Sequence, residues 1–156
     1  AGHESLGYDD GELDNTRELR AALVERIRRW RPEVVVGPDP TAVFFGRTYV
    51  NHRDHRELGF AVLDAASPAA SSPAYFPDRG PAHRPAALFL SGTLEPDTWV
   101  DIDATLETKV RALRCHASQL GDDLDLAADA VRQRAASAGR AVGLRHAEAF
   151  RVVHIG

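Results

Sequence analysis

The stretch that most constrains this chain lies between residues 15 and 40. Leu19, Leu23, Ile27 and Trp30 recur at the spacing of one helical face, and Pro32 stops the pattern. Asn15, with Glu18 three residues on, predicts the start of that helix as a capping-box variant. Glu33-Val34-Val35-Val36-Gly37 follows at once, a short β-branched run of the kind a buried strand carries. A helix succeeded by a buried strand is the alternation that builds a parallel sheet covered by helices. Pro38-Asp39-Pro40-Thr41 then breaks the strand at its carboxyl end, where α/β folds place their functional loops.

The remainder extends the same pattern. Residues 42–51 read as irregular or weakly extended, and a second helix is expected from about His52 to Ala66, turning Leu58, Val62 and Ala66 to the core. Residues 67–85 carry five prolines, a long loop that serves either to cover a substrate or simply to cross over. Residues 86–90 and 98–102 read as strands, and 148–153 as a final one. Between them a third helix is expected over about 104–120, where Leu106, Val110, Leu113, Ala117 and Leu120 step by four, three, four and three. A fourth is expected over about 124–138, stopped by Gly139. No repeat or domain linker interrupts the 156 residues, a length that suits one domain with its own core.

Composition narrows the function. A net charge of -4 gives no electrostatic reason to expect nucleic acid or an anionic membrane as partner. No apolar run approaches the ~18 residues that a spanning helix needs. Cys115 is the single cysteine, too few for an internal disulfide or a cysteine-rich zinc site, so the expected setting is a reducing cytoplasm. The sequence contains no methionine and opens in polar, loop-like residues. A piece of a longer protein is therefore expected.

Asn51-His52-Arg53-Asp54-His55 is the constellation that could carry chemistry. At a helix start, His52 and His55 project from neighbouring parts of one face. Neutral imidazole is the commonest nitrogen ligand of zinc, and an adjacent carboxylate can fix a ring's tautomer. On spacing alone, two histidines flanked by Arg53, Asp54, Arg56 and Glu57 describe a solvated helix start more often than a site. Asp9, Asp10 and Asp14 suit turns and capping. Asp39 is evenly balanced between a functional loop and a simple Pro-Asp-Pro turn. His116 and Gln119 suit packing on a late helix, Cys115 suits helix packing, and Trp30 and Trp99 suit the core.

The run Tyr49-Val50-Asn51-His52-Arg53-Asp54-His55-Arg56-Glu57-Leu58-Gly59 resembles the His-x-Asp-His signature of the PIG-L/LmbE-like zinc-dependent N-acetylglucosaminyl deacetylases. Three further segments resemble that family in order: Leu6 to Leu13, Arg31 to Pro40, and Lys109 to Gln119 with its His116-Ala117-Ser118-Gln119. The resemblance implies a Rossmann-like α/β fold, a mostly parallel sheet with flanking helices, and one catalytic zinc. It makes His55 a zinc ligand, His52 the histidine that stabilises the oxyanion and protonates the leaving amine, and Asp54 its tuning carboxylate. Arg53 stands where many relatives carry proline.

The implied reaction is removal of an acetyl group from an N-acetylglucosamine-type amide, with a small N-acetylated sugar conjugate as substrate. The family's first signature, Ala-His-Pro-Asp-Asp-x-Glu, is absent here, and with it the other two implied zinc ligands and the general base. Residues 1–156 are thus expected to form a single deacetylase-like domain, N-terminally truncated and lacking the first strands of its sheet. That leaves an exposed hydrophobic edge, which favours a homo-oligomer. The competing expectation is a catalytically incomplete homologue or fragment with a structural or complementing role. A nucleotide-binding module is disfavoured, since no Gly-x-Gly-x-x-Gly follows a strand.

Overall fold

The computed structural model describes residues 2–156, the side chains of 117, 119 and 122 aside. The chain divides into two compact units, Ala1–Glu95 with Arg151–Gly156, and Pro96–Phe150.

The first unit is organised by helix α1 (Arg17–Trp30). Its N-cap is Thr16, whose side chain accepts from the Leu19 N–H at 3.1 Å. Asn15, expected in that role, instead donates its amide to Asp64 and accepts from Arg20. Thr16→Ala should cost about 1 kcal/mol, the ordinary value of a lost cap, read as a lower urea midpoint. Leu19, Val24 and Ile27 are buried, but Trp30 is 61% exposed, with the Arg29 guanidinium 5.1 Å above its ring. The core expectation for Trp30 therefore fails. It lies on the last helical residue, after which Arg31 turns left-handed and its N–H closes on the Ile27 carbonyl.

Strand β1 (Val34–Pro38) follows. Residues 44–45 (β2) and 49–50 (β3) then form a small antiparallel hairpin, in a stretch expected to be irregular. Helix α2 (Arg53–Asp64) runs into a π-helical turn at Ala65–Ala69. Strand β4 (Ala87–Ser91) pairs in parallel with β1, from Val34 opposite Ala87 to Pro38 opposite Ser91. This is the pairing that the α1–β1 alternation implies. In the strand order the other neighbour of β4 is β6 (Ala147–His154). β1 ends the strand order, and its Val34 and Val36 are exposed. Val24, Ile27, Val62, Ala65, Ala66, Ala69, Ala70 and Leu88 form the core of this unit.

The proline-rich stretch is not a bare loop. Its start packs into that core through Ala69 and Ala70, and the turns that follow close on one side chain. Arg28 of α1 is 2% exposed and donates to the carbonyls of Ala69, Ala70, Ser72, Tyr75, Phe76 and Gly80.

In the second unit, β5 (Thr98–Asp101) pairs antiparallel with the first half of β6, Thr98 opposite Phe150 and Asp101 opposite Ala147. The pairings are thus mixed, parallel at β1–β4 and antiparallel at β5–β6. Helix α3 (Leu106–Arg114) is shorter than its apolar periodicity implies. The N–H groups of Cys115 and His116 bond three residues back, to Ala112 and Leu113, and this tightening ends it. A short helix α4 (Ala117–Leu120) and a 3₁₀ turn lead to α5 (Leu124–Arg140). Gly139, expected to stop α5, lies inside it. A Cβ there would come 2.6 Å from the Leu144 carbonyl oxygen, so this glycine serves close packing rather than termination. Ile102, Leu106, Val131 and Ala135 make the small core of this unit. Trp99 is half-buried, and Cys115 is exposed rather than packed. No helix among the described residues is long and apolar enough to cross a membrane.

Candidate active site

All three residues singled out by spacing lie at the start of α2. His52 is the N-cap, its backbone extended and its Nδ1 accepting from the Asp54 N–H at 3.3 Å. That bond sets the neutral ring as the Nε2–H tautomer, with a donor directed outward. Asp54 stands in the first turn, where the helix dipole favours a negative charge. His55 lies one residue further, its ring centroid 5.6 Å from that of His52. Its Nδ1 is 3.2 Å from Asn51 Oδ1.

Asp54 does more than neighbour His52. Its Oδ2 accepts from the Gly11 N–H at 2.7 Å, which draws the acidic loop of residues 9–11 to the helix start. Gly11 has φ +88, a backbone region that glycine enters at no steric cost. Asp10 is carried in by this contact, with its Oδ1 4.0 Å from His52 Nε2. Asp54 Oδ2 is itself 4.0 Å from His52 Nδ1. Asp54 Oδ1 is buried and accepts no hydrogen bond. Asp10, His52 and Asp54 thus offer ligand atoms that all lie within 4.8 Å of one another.

The other candidates take structural duties. Asp14 pairs with Arg53, whose guanidinium also holds the Leu13 carbonyl. Arg53 thereby fastens the N-terminal loop to α2. The Asn15 N–H donates to Glu57 at 3.1 Å and adds a second tie. Asp39, 1% exposed at the end of β1, accepts from the Thr41 hydroxyl at 2.6 Å and the Thr41 N–H at 2.9 Å. Burial alone would raise its pKa. The Thr41 and Thr93 side chains, the Thr41 amide and the Arg151 charge outweigh burial, and the net shift is downward. The ionised carboxylate therefore favours the fold above the usual carboxylate range, and that contribution is lost as pH falls through its lowered value. Asp39 clamps a turn. His116 is exposed at the break after α3, and the Gln119 side chain lies outside the described residues.

Two members of the cluster escape sequence reasoning. Asp10 reads as a turn residue because the contact that recruits it joins positions 43 apart. Asn51 reads as a mere flank, although it is 7% exposed and holds His55.

Residues 1–66 match the PIG-L family model, described as GlcNAc-PI de-N-acetylase. The chain is 35% identical over 153 residues to the diacetylchitobiose deacetylase of Thermococcus kodakarensis, covering 96% of this chain and 55% of that protein. Among solved structures, the N,N'-diacetylchitobiose deacetylase of Pyrococcus horikoshii in complex with its inhibitor superposes with a TM-score of 0.81. The identity is 30%, over 96% of this chain and 56% of that one. The 4-carboxy-2-hydroxymuconate hydratase of Pseudomonas putida superposes with a TM-score of 0.67 at 22% identity, over 90% of this chain and 60% of that one, and shares the fold alone. The chain spans about half the length of the relatives it matches.

Proposed function

We propose that this chain, whose residues 1–66 match the PIG-L family model, is part of a zinc-dependent hydrolase of that family that removes the acetyl group from an N-acetylglucosamine-type amide. The observation that carries the reading is the helix start itself, two imidazoles 5.6 Å apart beside a buried carboxylate oxygen that accepts no hydrogen bond. The names of the relatives, diacetylchitobiose deacetylases, point to the same substrate class.

The residues present fit a metal. Asp54 Oδ1 accepts no hydrogen bond, with Arg53 Nη1 standing off at 4.0 Å, and imidazole with carboxylate is an ordinary zinc donor set. In this reading His55 is the chain's zinc ligand, one of the roughly three that a catalytic zinc takes from protein. Zinc, when bound, polarises the acetyl carbonyl and lowers the pKa of its water. His52 presents its Nε2–H to the oxygen that gathers charge as the amide is attacked; to pass a proton to the departing amine it must first become imidazolium, which gives up the Nδ1 acceptance from the Asp54 N–H. Asp54 holds His52 through its backbone N–H, while its Oδ2 keeps the acidic loop in place. A small N-acetylated sugar conjugate is the proposed substrate, and a reducing cytoplasm the proposed setting for a chain with one exposed cysteine.

A second reading is favoured by the Asp10–His52–Asp54 cluster, which would seat the ion on those three side chains rather than on His55. Zinc per molecule after dialysis of the full-length protein containing this chain separates the two, because under the first reading residues 1–156 supply only one of the roughly three ligands. Under the first reading His55→Ala loses the metal, while Asp10→Ala keeps it. The reverse pattern would transfer the site to the cluster, and zinc-free wild-type protein would sink both. The activity is tested on the full-length protein containing this chain, as acetate released from diacetylchitobiose. No release with zinc bound would overturn the deacetylase assignment.

A further inference from the structure

Asn51 joins three segments through one buried amide. Its backbone N–H donates to the Val43 carbonyl at 2.8 Å, and its side-chain Nδ2 donates to the Ala42 carbonyl at 2.8 Å. Its own carbonyl accepts from Arg56 Nη1 at 2.9 Å. A carbonyl oxygen can only accept, so the amide nitrogen must face Ala42, and Oδ1 must face His55 Nδ1. Oδ1 in turn can only accept. The neutral His55 ring must then carry its hydrogen on Nδ1 and its lone pair on Nε2.

We infer that Asn51 is a positioning residue, which reads the Ala42 carbonyl and thereby holds His55 as the Nδ1–H tautomer with Nε2 free to donate to a metal. The inference rests on the reading of His55 as a zinc ligand only in its last clause, because the tautomer follows from the two hydrogen bonds. It also explains the residue type. An aspartate could accept from His55 Nδ1 but has no N–H for Ala42. A glutamine adds a methylene and displaces the amide, and a leucine removes both bonds. Only asparagine at this reach donates backward and accepts forward. The arrangement sets the two site histidines in opposite senses. His52, its Nδ1 taken by the Asp54 N–H, presents an Nε2 donor, whereas His55 presents an Nε2 acceptor. The same amide fixes where the helix begins relative to the β2–β3 hairpin, since Ala42 and Val43 lead into it.

The test is long-range ¹⁵N–¹H NMR on histidine-labelled, metal-free protein at a pH where imidazole is neutral. Wild-type His55 is expected as Nδ1–H and His52 as Nε2–H. Asn51→Asp should keep the His55 tautomer, and Asn51→Leu should release it to the Nε2–H form that free imidazole side chains prefer. Outer partners of metal-bound histidines are commonly worth 10–100-fold in metal affinity, so zinc should bind Asn51→Leu weaker by about that factor. Finding Nε2–H at His55 in the wild type overturns the inference, and that measurement needs no variant to fold. A folded Asn51→Leu with an unchanged tautomer overturns it too. The outcomes separate from those of the function. Full-length protein that releases no acetate while His55 remains Nδ1–H sinks the deacetylase reading alone.

Discussion

Arg28→Met lowers the stability of this chain by on the order of 4 kcal/mol, seen as a lower urea midpoint at an unchanged slope. Methionine keeps most of the aliphatic stem and its packing on α1, so the change isolates the guanidinium. Six carbonyls lose their donor. Those of Ala69 and Ala70 meet the guanidinium in fully buried bonds, while the bonds to Ser72, Tyr75, Phe76 and Gly80 are only partly buried, so water can replace part of them. A buried acceptor left unpaired costs about 1–3 kcal/mol, and two such groups set the scale of the effect. Burial pulls the guanidinium pKa below its usual value, yet arginine remains charged at any pH of interest, so the loss should not depend on pH. Arg28→Lys is the informative control. Its ammonium carries three donors without the planar fork, and it should recover less than half of the lost stability. A near-neutral Arg28→Met would mean that the turns of residues 69–80 hold themselves.

The role of Arg28 shows where sequence stops being informative. Arg28 follows Ile27 within a basic run, a pattern that reads as the solvated side of a helix. Its partners are 41 to 52 positions away, and no periodicity records them. The α1–β1 alternation was legible because period and β-branching are local properties, and the parallel β1–β4 pairing follows from them. The β2–β3 hairpin was not, since two residues per strand leave no alternation and Asn51 sets its base from outside. Nor was the end of α3, where the apolar spacing runs past a break that the backbone makes at Cys115. At the site, His52, Asp54 and His55 stood out because three chemistry-bearing residues share one helical turn. Asp10 and Asn51 entered through hydrogen bonds to loops, and a carboxylate or amide in a loop always has a turn role as its simpler explanation. Asp39 illustrates that turn role, its carboxylate accepting from the Thr41 hydroxyl and N–H.

Gly59→Ala tests what holds the active helix in place. Helix propensity alone would have alanine stabilise α2 by about 1 kcal/mol, because glycine is a poor residue for a helix interior. Packing opposes this. A Cβ on Gly59 would lie 2.6 Å from the Pro38 carbonyl oxygen, 2.9 Å from Pro40 Cδ and 3.0 Å from Pro40 Cβ. These are a strand-end backbone and a rigid ring, with no rotamer by which to withdraw. Overpacking a well-filled interior costs typically 1–3 kcal/mol and more where nothing can yield, so a net loss of about 2 kcal/mol or more is expected. Gly37→Ala provides the contrast. Its Cβ would meet Val62 Cγ1 at 3.0 Å, the end of a side chain that can give by a few tenths of an ångström. Gly37→Ala should therefore lower the urea midpoint less than Gly59→Ala. If Gly59→Ala proves neutral, α2 rides loosely over the Pro38–Pro40 turn. If instead it destabilises as expected, the same displacement should reach His55 four residues earlier and weaken zinc binding, because the helix that carries the imidazole is seated by the absence of one methyl group.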